Sequence, residues 1–263
     1  MTLERYTVTG YWGPRQSEIS DFAEDFCEFA NNLADIDPIF TGWFIGNPKL
    51  PRLFELPLDK NIATIIAERN QKRFHAPNSK IPSDFGFSIS GINCQKNRAG
   101  NDALHVAKTG VHAGSFISDE SYAINPNIKG SPYSNDLCIE LAKMRIGSEL
   151  AWRASELLPL MKLVLKIWRP RQLSVDCQRH PHPMISDSSW ASGERWLHPW
   201  AGWLTYLSPA LFPKIDLPKG VIVEKLEFGG AIVALCEEPF TIDDPVHMAR
   251  MRAMEAAMRP FQT

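Results

Sequence analysis

YTVTGYW at residues 6–12 and SEISDFAEDFCEFANNLADIDP at residues 17–38 stand close together near the start of the chain, and their reading decides the fold class. The first is dense in β-branched and aromatic residues, which suit a pleated, half-buried surface. It predicts a strand over Tyr6–Trp12, closed by Gly13-Pro14. In the second, Ile19, Phe22, Phe26, Phe29 and Leu33 recur at steps of three and four, which places them on one face of a helix. Ser17 is positioned to cap that helix and Asp37-Pro38 to stop it. Its opposite face carries Asp21, Glu24, Asp25 and Glu28.

Outward from this pair, strands and helices continue to mix. Gly42–Ile45 reads as a short strand, and a stretch with Pro48, Pro51 and Pro57 follows. Asp59 can cap a second helix with Ile62, Ile65 and Ile66 inside. Phe85–Cys94 alternates apolar with small or polar residues, and Ala103–Val111 returns after a turn at Asn97–Asp102, predicting a hairpin. Leu137–Leu141 is a further strand. Leu157, Leu160, Met161, Val164, Leu165 and Trp168 mark a helix that Pro159 starts near Ser155 or kinks, and that Arg169-Pro170 ends. Gln172–Cys177 and Gly202–Leu207 read as strands. Val221–Leu226 and Ala231–Leu235 flank a hairpin turn at Glu227-Phe228-Gly229-Gly230. The last helix has Asp244 as N-cap, Pro245 at its first position and an inner row of Met248, Met251, Met254 and Met258, and runs to about Arg259. The expected fold is α+β, with mixed but mainly antiparallel sheet packed against about four helices. Residues 1–263 are read as a single domain, with a two-lobe arrangement broken near 115–135 as the alternative.

Bulk properties narrow the function. The chain has 263 residues, 44 % hydrophobic and 22 % charged, close to the soluble globular average and long enough to bury a core without a metal or disulfide staple. A formal charge of −2 lacks the basic excess that phosphate neutralisation requires, so direct nucleic-acid binding is not expected. The five cysteines are odd in number, widely spaced and without a CxxC pair, which argues against a disulfide framework or zinc knuckle. Cys138 and Cys236 sit in apolar runs and read as small core residues of a reducing compartment. The first residues lack a basic segment followed by an apolar one, and no apolar stretch approaches the roughly 20 residues of a membrane span. The expected location is the cytoplasm, with no membrane association.

Chemistry-bearing residues are sparse. Cys177, His180, His182 and His198 supply ligand types suited to zinc, but their spacing fits no standard motif, and His-Pro repeats are common in surface loops. Cys177 and His180 are too close in sequence for the usual Cys–His catalytic arrangement. No nucleophile elbow, phosphate-binding glycine motif or HExxH sequence occurs. The reading is therefore no catalytic, cofactor-binding or metal-ligating residues, and no enzyme. Two features suit recognition of another protein. The carboxylates Asp21, Glu24, Asp25 and Glu28 share one helix face and would complement a basic surface, although a solvated face is the plainer explanation. Eight tryptophans is a high count; core is the plainer explanation for any one of them, and Trp190 and Trp196, in an irregular segment, are the better candidates for interface anchors.

The order of several short motifs resembles the immunity protein 52 family of bacterial polymorphic toxin systems. These are Tyr11-Trp12-Gly13, Gly42-Trp43-Phe44, Gly202-Trp203-Leu204-Thr205-Tyr206-Leu207, Gly229-Gly230 and Asp244-Pro245-Val246-His247. The resemblance spans both ends of the chain. It implies an α+β protein encoded beside a toxin gene, with a cognate toxin as partner. That toxin would be a DNase of restriction-endonuclease-like fold, delivered by a type VI or contact-dependent route. The family contributes no catalytic residues, and its recurrent Trp, Gly and His positions look structural. The expected function is stoichiometric neutralisation of that toxin. The alternatives are a metal-dependent or Cys/His hydrolase using residues 177–198, and an adaptor of a secretion apparatus.

Overall fold

The computed structural model describes residues 6–12, 19–37, 43–47, 50–54, 57, 61, 87–95, 107–115, 135–141, 152–177, 179–180 and 199–261. In chain order the elements are β1 (Tyr6–Trp12), α1 (Ile19–Ile36), β2 (Trp43–Asn47), β3 (Leu50–Phe54), β4 (Phe87–Gln95), β5 (Ala107–Ser115) and β6 (Asn135–Leu141). There follow α2 (Ala154–Trp168), β7 (Gln172–Cys177), β8 (Leu204–Leu207), β9 (Ile222–Lys225), β10 (Ala231–Ala234) and α3 (Pro245–Met258). The ten strands form one sheet in the order β3-β2-β4-β5-β6-β1-β7-β8-β10-β9. Every neighbouring pair is antiparallel.

The α+β class with a mainly antiparallel sheet is what the sequence predicts. The helix count is not: three α-helices are described, against about four expected. Of the helix expected after Asp59 only Asn61 is described, and it is helical; the rest lies outside the described residues, as does most of the 115–135 stretch. β3 replaces a segment read only as proline-rich. Pro51 is tolerated there because β3 is an edge strand, where a missing N–H need not break a ladder. β5 starts four residues later than expected, at Ala107 instead of Ala103. Its register is set by pairing with β4 and β6, which local alternation does not encode.

The first strand–helix pair carries the core. In β1, Tyr6 and Val8 are buried and Thr7 and Thr9 half-buried, the period of two that a strand imposes. Val8 stands opposite Ile139 on one side and Val175 on the other, and Val175 opposite Leu204. Phe26, Phe29 and Leu33 of α1 are completely buried against this row, in one cluster with Leu157, Leu160, Met161 and Val164 of α2. Phe29 meets Trp168 edge-on, with ring centroids 5.9 Å apart, and so joins the two helices.

Helix ends show which signals were local. Helix α2 ends in Arg169, whose φ of 46° is left-handed, before Pro170. At its start Glu156 Oε2 accepts the Arg153 amide at 2.9 Å and the Arg153 carbonyl accepts the Glu156 amide at 3.1 Å, a local box that leaves the Ala154 and Ser155 amides to a distant partner. Glu237, from the segment after β10, is that partner: its carbonyl takes the Ala154 N–H at 2.9 Å, and its Oε1 takes the Ser155 N–H at 3.4 Å and the Ser155 hydroxyl at 2.5 Å. Helix α3 begins as predicted. Asp244 Oδ1 accepts from Val246 N at 2.7 Å and from His247 N at 3.4 Å, and Pro245 follows the cap. Met251, Met254 and Met258 are buried, whereas Met248 is only partly so. His247 takes the remaining inner position, stacked on Phe240 at 5.5 Å.

The Asp244 carboxyl is held below its ordinary range, chiefly by the hydrogen bond from Val246 N. A depressed folded-state pKa means that the cap's stabilisation is present above the unfolded value, about 3.9, and fades as pH falls through the lower folded value. Asp244→Ala should lower the melting temperature at neutral pH by about 2–4 °C, as expected for a lost cap in a chain of this size. The gap between mutant and parent should close as pH is taken below about 4. Thermal melts across pH check both. An unchanged melting temperature at pH 7 would mean that the cap does not hold α3.

Candidate functional site

The charged face read from the sequence lies on α1. Over its 18 residues this helix carries five carboxylates, Asp21, Glu24, Asp25, Glu28 and Asp35, and no lysine or arginine. Glu24, Glu28 and Asp35 are exposed and Asp25 half-buried, so the face is turned outward as expected for side chains opposite Phe26 and Phe29. Asp21 belongs to the same helix. Each such carboxylate would repel its neighbours three and four residues away by a few tenths of a kcal/mol.

That repulsion is relieved from α2. Lys166 Nζ bonds Glu28 Oε1 at 2.9 Å, across the seam between the two helices. One turn earlier, Lys162 bonds Glu224 of β9. Two lysines four residues apart thus tie the acidic helix on one side and the sheet edge on the other into one outward-facing charged surface. Exposed pairs of this kind stabilise by only about 0–1 kcal/mol, and the exposure of Lys166 (66 %) and Glu28 (48 %) puts this one in that class. Their effect is on where charge sits. Sequence reasoning missed the lysines. The available signal was their i, i+4 spacing on the polar side of the Leu157–Trp168 stripe. Between the helices runs an open groove of about 530 Å³, walled by Asn32, Asp35 and Ile36 from α1 and by Glu156, Pro159 and Leu163 from α2.

The two aromatic candidates, Trp190 and Trp196, lie outside the described residues. The neighbouring Trp200 and Trp203 do not face solvent. Trp200 is 6 % exposed and donates to Ser174 Oγ at 2.7 Å, and Trp203 is fully buried.

Of the possible ligand cluster, His182 and His198 also lie outside the described residues. Cys177 is buried in β7, and His180 Nε2 lies 3.1 Å from Glu255 Oε1 on α3. Beside it, Arg179 grips Asp243 with two hydrogen bonds of 3.1 Å, which hold the Asp243 carboxyl below its ordinary range. The geometry of this corner is that of a strap fastening the end of β7 to α3. Among the described residues, no group of three or more His, Cys, Asp or Glu side chains is placed to hold a metal ion. Cys236 is unsuited to nucleophilic work: burial pushes its thiol up to about 12, and its Sγ donates to the Glu238 carbonyl. No helix of the described residues is long and apolar enough to cross a membrane. What the arrangement supplies is a broad surface of mixed charge with an acidic helix at one side.

Residues 130–260 match the family described as Immunity protein 52. Among solved structures, the chain is similar to one described as Pseudomonas aeruginosa T6SS protein PA0821. That likeness has 13 % identity and a TM-score of 0.48, and covers 98 % of this chain and 73 % of the other. No curated protein matches the chain significantly.

Proposed function

Through residues 130–260 the chain belongs to the Immunity protein 52 family, and from that premise we propose that it neutralises a co-encoded bacterial toxin by binding it, without catalysis. The family match is the observation that carries the reading. The open charged surface of α1 and α2 supports it, since a surface of this kind suits a protein partner. The cognate toxin is proposed to be a nuclease, a DNase of restriction-endonuclease-like fold reaching the cell by a type VI or contact-dependent route. The inhibitor acts in the cytoplasm as a single domain of residues 1–263, needs no cofactor and does not itself bind nucleic acid.

A nuclease attracts phosphate and so presents basic residues around its active site. The acidic face of Asp21, Glu24, Asp25 and Glu28 is proposed as the complementary surface, with Trp190 and Trp196 as aromatic anchors of the contact. Production of the adjacent-gene toxin in cells should be lethal alone and tolerated with this chain. Continued killing in its presence, with no complex formed, would sink the proposal. The acidic face is tested with Asp21→Lys combined with Glu24→Lys, leaving Glu28 to its bond with Lys166. Association with an inactivated toxin should slow about tenfold at low salt and lose most of its salt dependence, because steering charges act on the on-rate. Unchanged rates at two salt concentrations would remove the acidic face from the interface.

A further inference from the structure

We propose that the edge of β9, unpaired among the described residues, is a docking site for an extended segment of the toxin, which adds to the sheet as a further strand. The inference rests on the immunity reading and says where the partner binds. It starts from the two ends of the sheet. One end is β3, whose Pro51 lacks a backbone donor and so blunts the edge against further pairing. The other end is β9, Ile222-Val223-Glu224-Lys225, which has no proline. Among the described residues the exposed large apolar side chains are Ile222, Val223, Phe228 and Val246, and three of the four belong to β9 or the turn after it.

The hairpin geometry fixes which backbone groups face outward. Leu226 N bonds Gly230 O at 3.2 Å, which makes Leu226 and Gly230 a hydrogen-bonded pair. In an antiparallel ladder such pairs alternate, so Glu224 with Ile232 and Ile222 with Ala234 are the next two. The far side of β10 agrees: Leu235 N bonds Trp203 O at 2.9 Å, so the odd-numbered residues of β10 serve β8. Val223 and Lys225 therefore turn their N–H and C=O groups away from β10, toward the open edge. A partner strand would pair with these two residues. Cross-strand preferences call for an apolar residue opposite Val223 and an acidic one opposite Lys225. Phe228, 60 % exposed, would cover the end of that strand.

The surface beside the edge favours the toxin over a second copy, because α1, with five carboxylates and no lysine or arginine, complements a basic nuclease and not a copy of itself. Four edge residues and one phenyl ring offer far less than the roughly 800 Å² per partner that a stable interface buries, so the edge needs an adjoining surface. That surface is present: Glu224 is tied to Lys162, and Lys166 one turn on is tied to Glu28, so β9 is continuous with the acidic helix.

The alternation supplies a selective test. Val223→Pro removes an outward N–H and leaves the hairpin bonds of Ile222 and Glu224 intact, whereas Glu224→Pro breaks one. With the inactivated adjacent-gene toxin as probe, Val223→Pro should melt within a few degrees of the parent and bind at least 100-fold more weakly. Should it fail to fold, hydrogen exchange on the unmodified protein decides the matter: peptides spanning 221–226 should become protected when the toxin is added. Parent protein that does not bind the toxin at all defeats the proposed function. Parent that binds, with no protection over 221–226 or with Val223→Pro binding equally well, overturns the β9 assignment alone. A concentration-dependent dimer of the free protein that Val223→Pro disrupts would assign the edge to a second copy and overturn the proposal.

Discussion

Trp203→Ala should lower the melting temperature by about 10 °C or more, on a loss of about 3–5 kcal/mol for truncating a fully buried large aromatic. Trp203 has no exposed surface. Its ring lies 4.9 Å from that of Tyr6, whose hydroxyl donates to the Phe240 carbonyl at 2.7 Å. Its Nε1–H donates to the Cys236 carbonyl at 2.9 Å. The side chain thus packs on β1 and bonds the segment after β10, the same segment that supplies Glu237 to cap α2. Alanine leaves a cavity among these elements and orphans a buried acceptor, two losses that act together. Trp203→Phe keeps most of the volume and loses only the bond, so it should cost much less. A total stability of about 5–15 kcal/mol leaves little margin for the alanine variant, and its abundance in cells should fall with it. Circular-dichroism melts of both variants are the check. A drop below about 3 °C for Trp203→Ala, less than ~1 kcal/mol would give in a chain of this size, would mean that this part of the core is not packed as described.

Gly230→Ala should be the most damaging single methyl group in the hairpin. Gly230 has φ +76°, a conformation that costs an L residue about 1–2 kcal/mol. A Cβ there would also lie in contact with backbone, 3.0 Å from Pro209 N and closer still to the Leu207 carbonyl. Backbone cannot swing aside as a flexible side chain can, so β8 and β10 would have to separate where Leu207 pairs with Ala231. Together the two effects should amount to about 3 kcal/mol or more. Gly229 is the internal control. Its φ is +88°, but a Cβ would meet only the Pro209 ring, at 3.3 Å. Gly229→Ala should therefore show the conformational cost and little else. Denaturant unfolding of the pair separates the effects. Equal losses would show that strain at φ, and not the approach of β8, makes Gly230 necessary.

Elements defined by their own residues were legible from the start. Tyr6–Trp12 and Gln172–Cys177 were read to the residue, because strand period and turn residues are local signals. The α1 stripe and the Asp244–Pro245 start of α3 were equally plain, since helical spacing and cap chemistry act over three or four residues. The acidic face followed from the same spacing. Pairing across the chain was not legible. Nothing local announces that β1 sits at the centre of the sheet between β6 and β7, or that Pro51 is harmless because β3 is an edge. Glu156 closes the start of α2 locally on Arg153, but the Ala154 and Ser155 amides are met by Glu237, 82 residues beyond Ser155. Lys162 and Lys166 acquire their meaning only when packing brings Glu224 and Glu28 beside them. The open backbone of Val223 and Lys225 depends on which face of β9 its partner occupies. Periodicity encodes which side of an element is buried; the neighbour against which it is buried is settled by long-range packing, and the surface open to a partner is what that packing leaves uncovered.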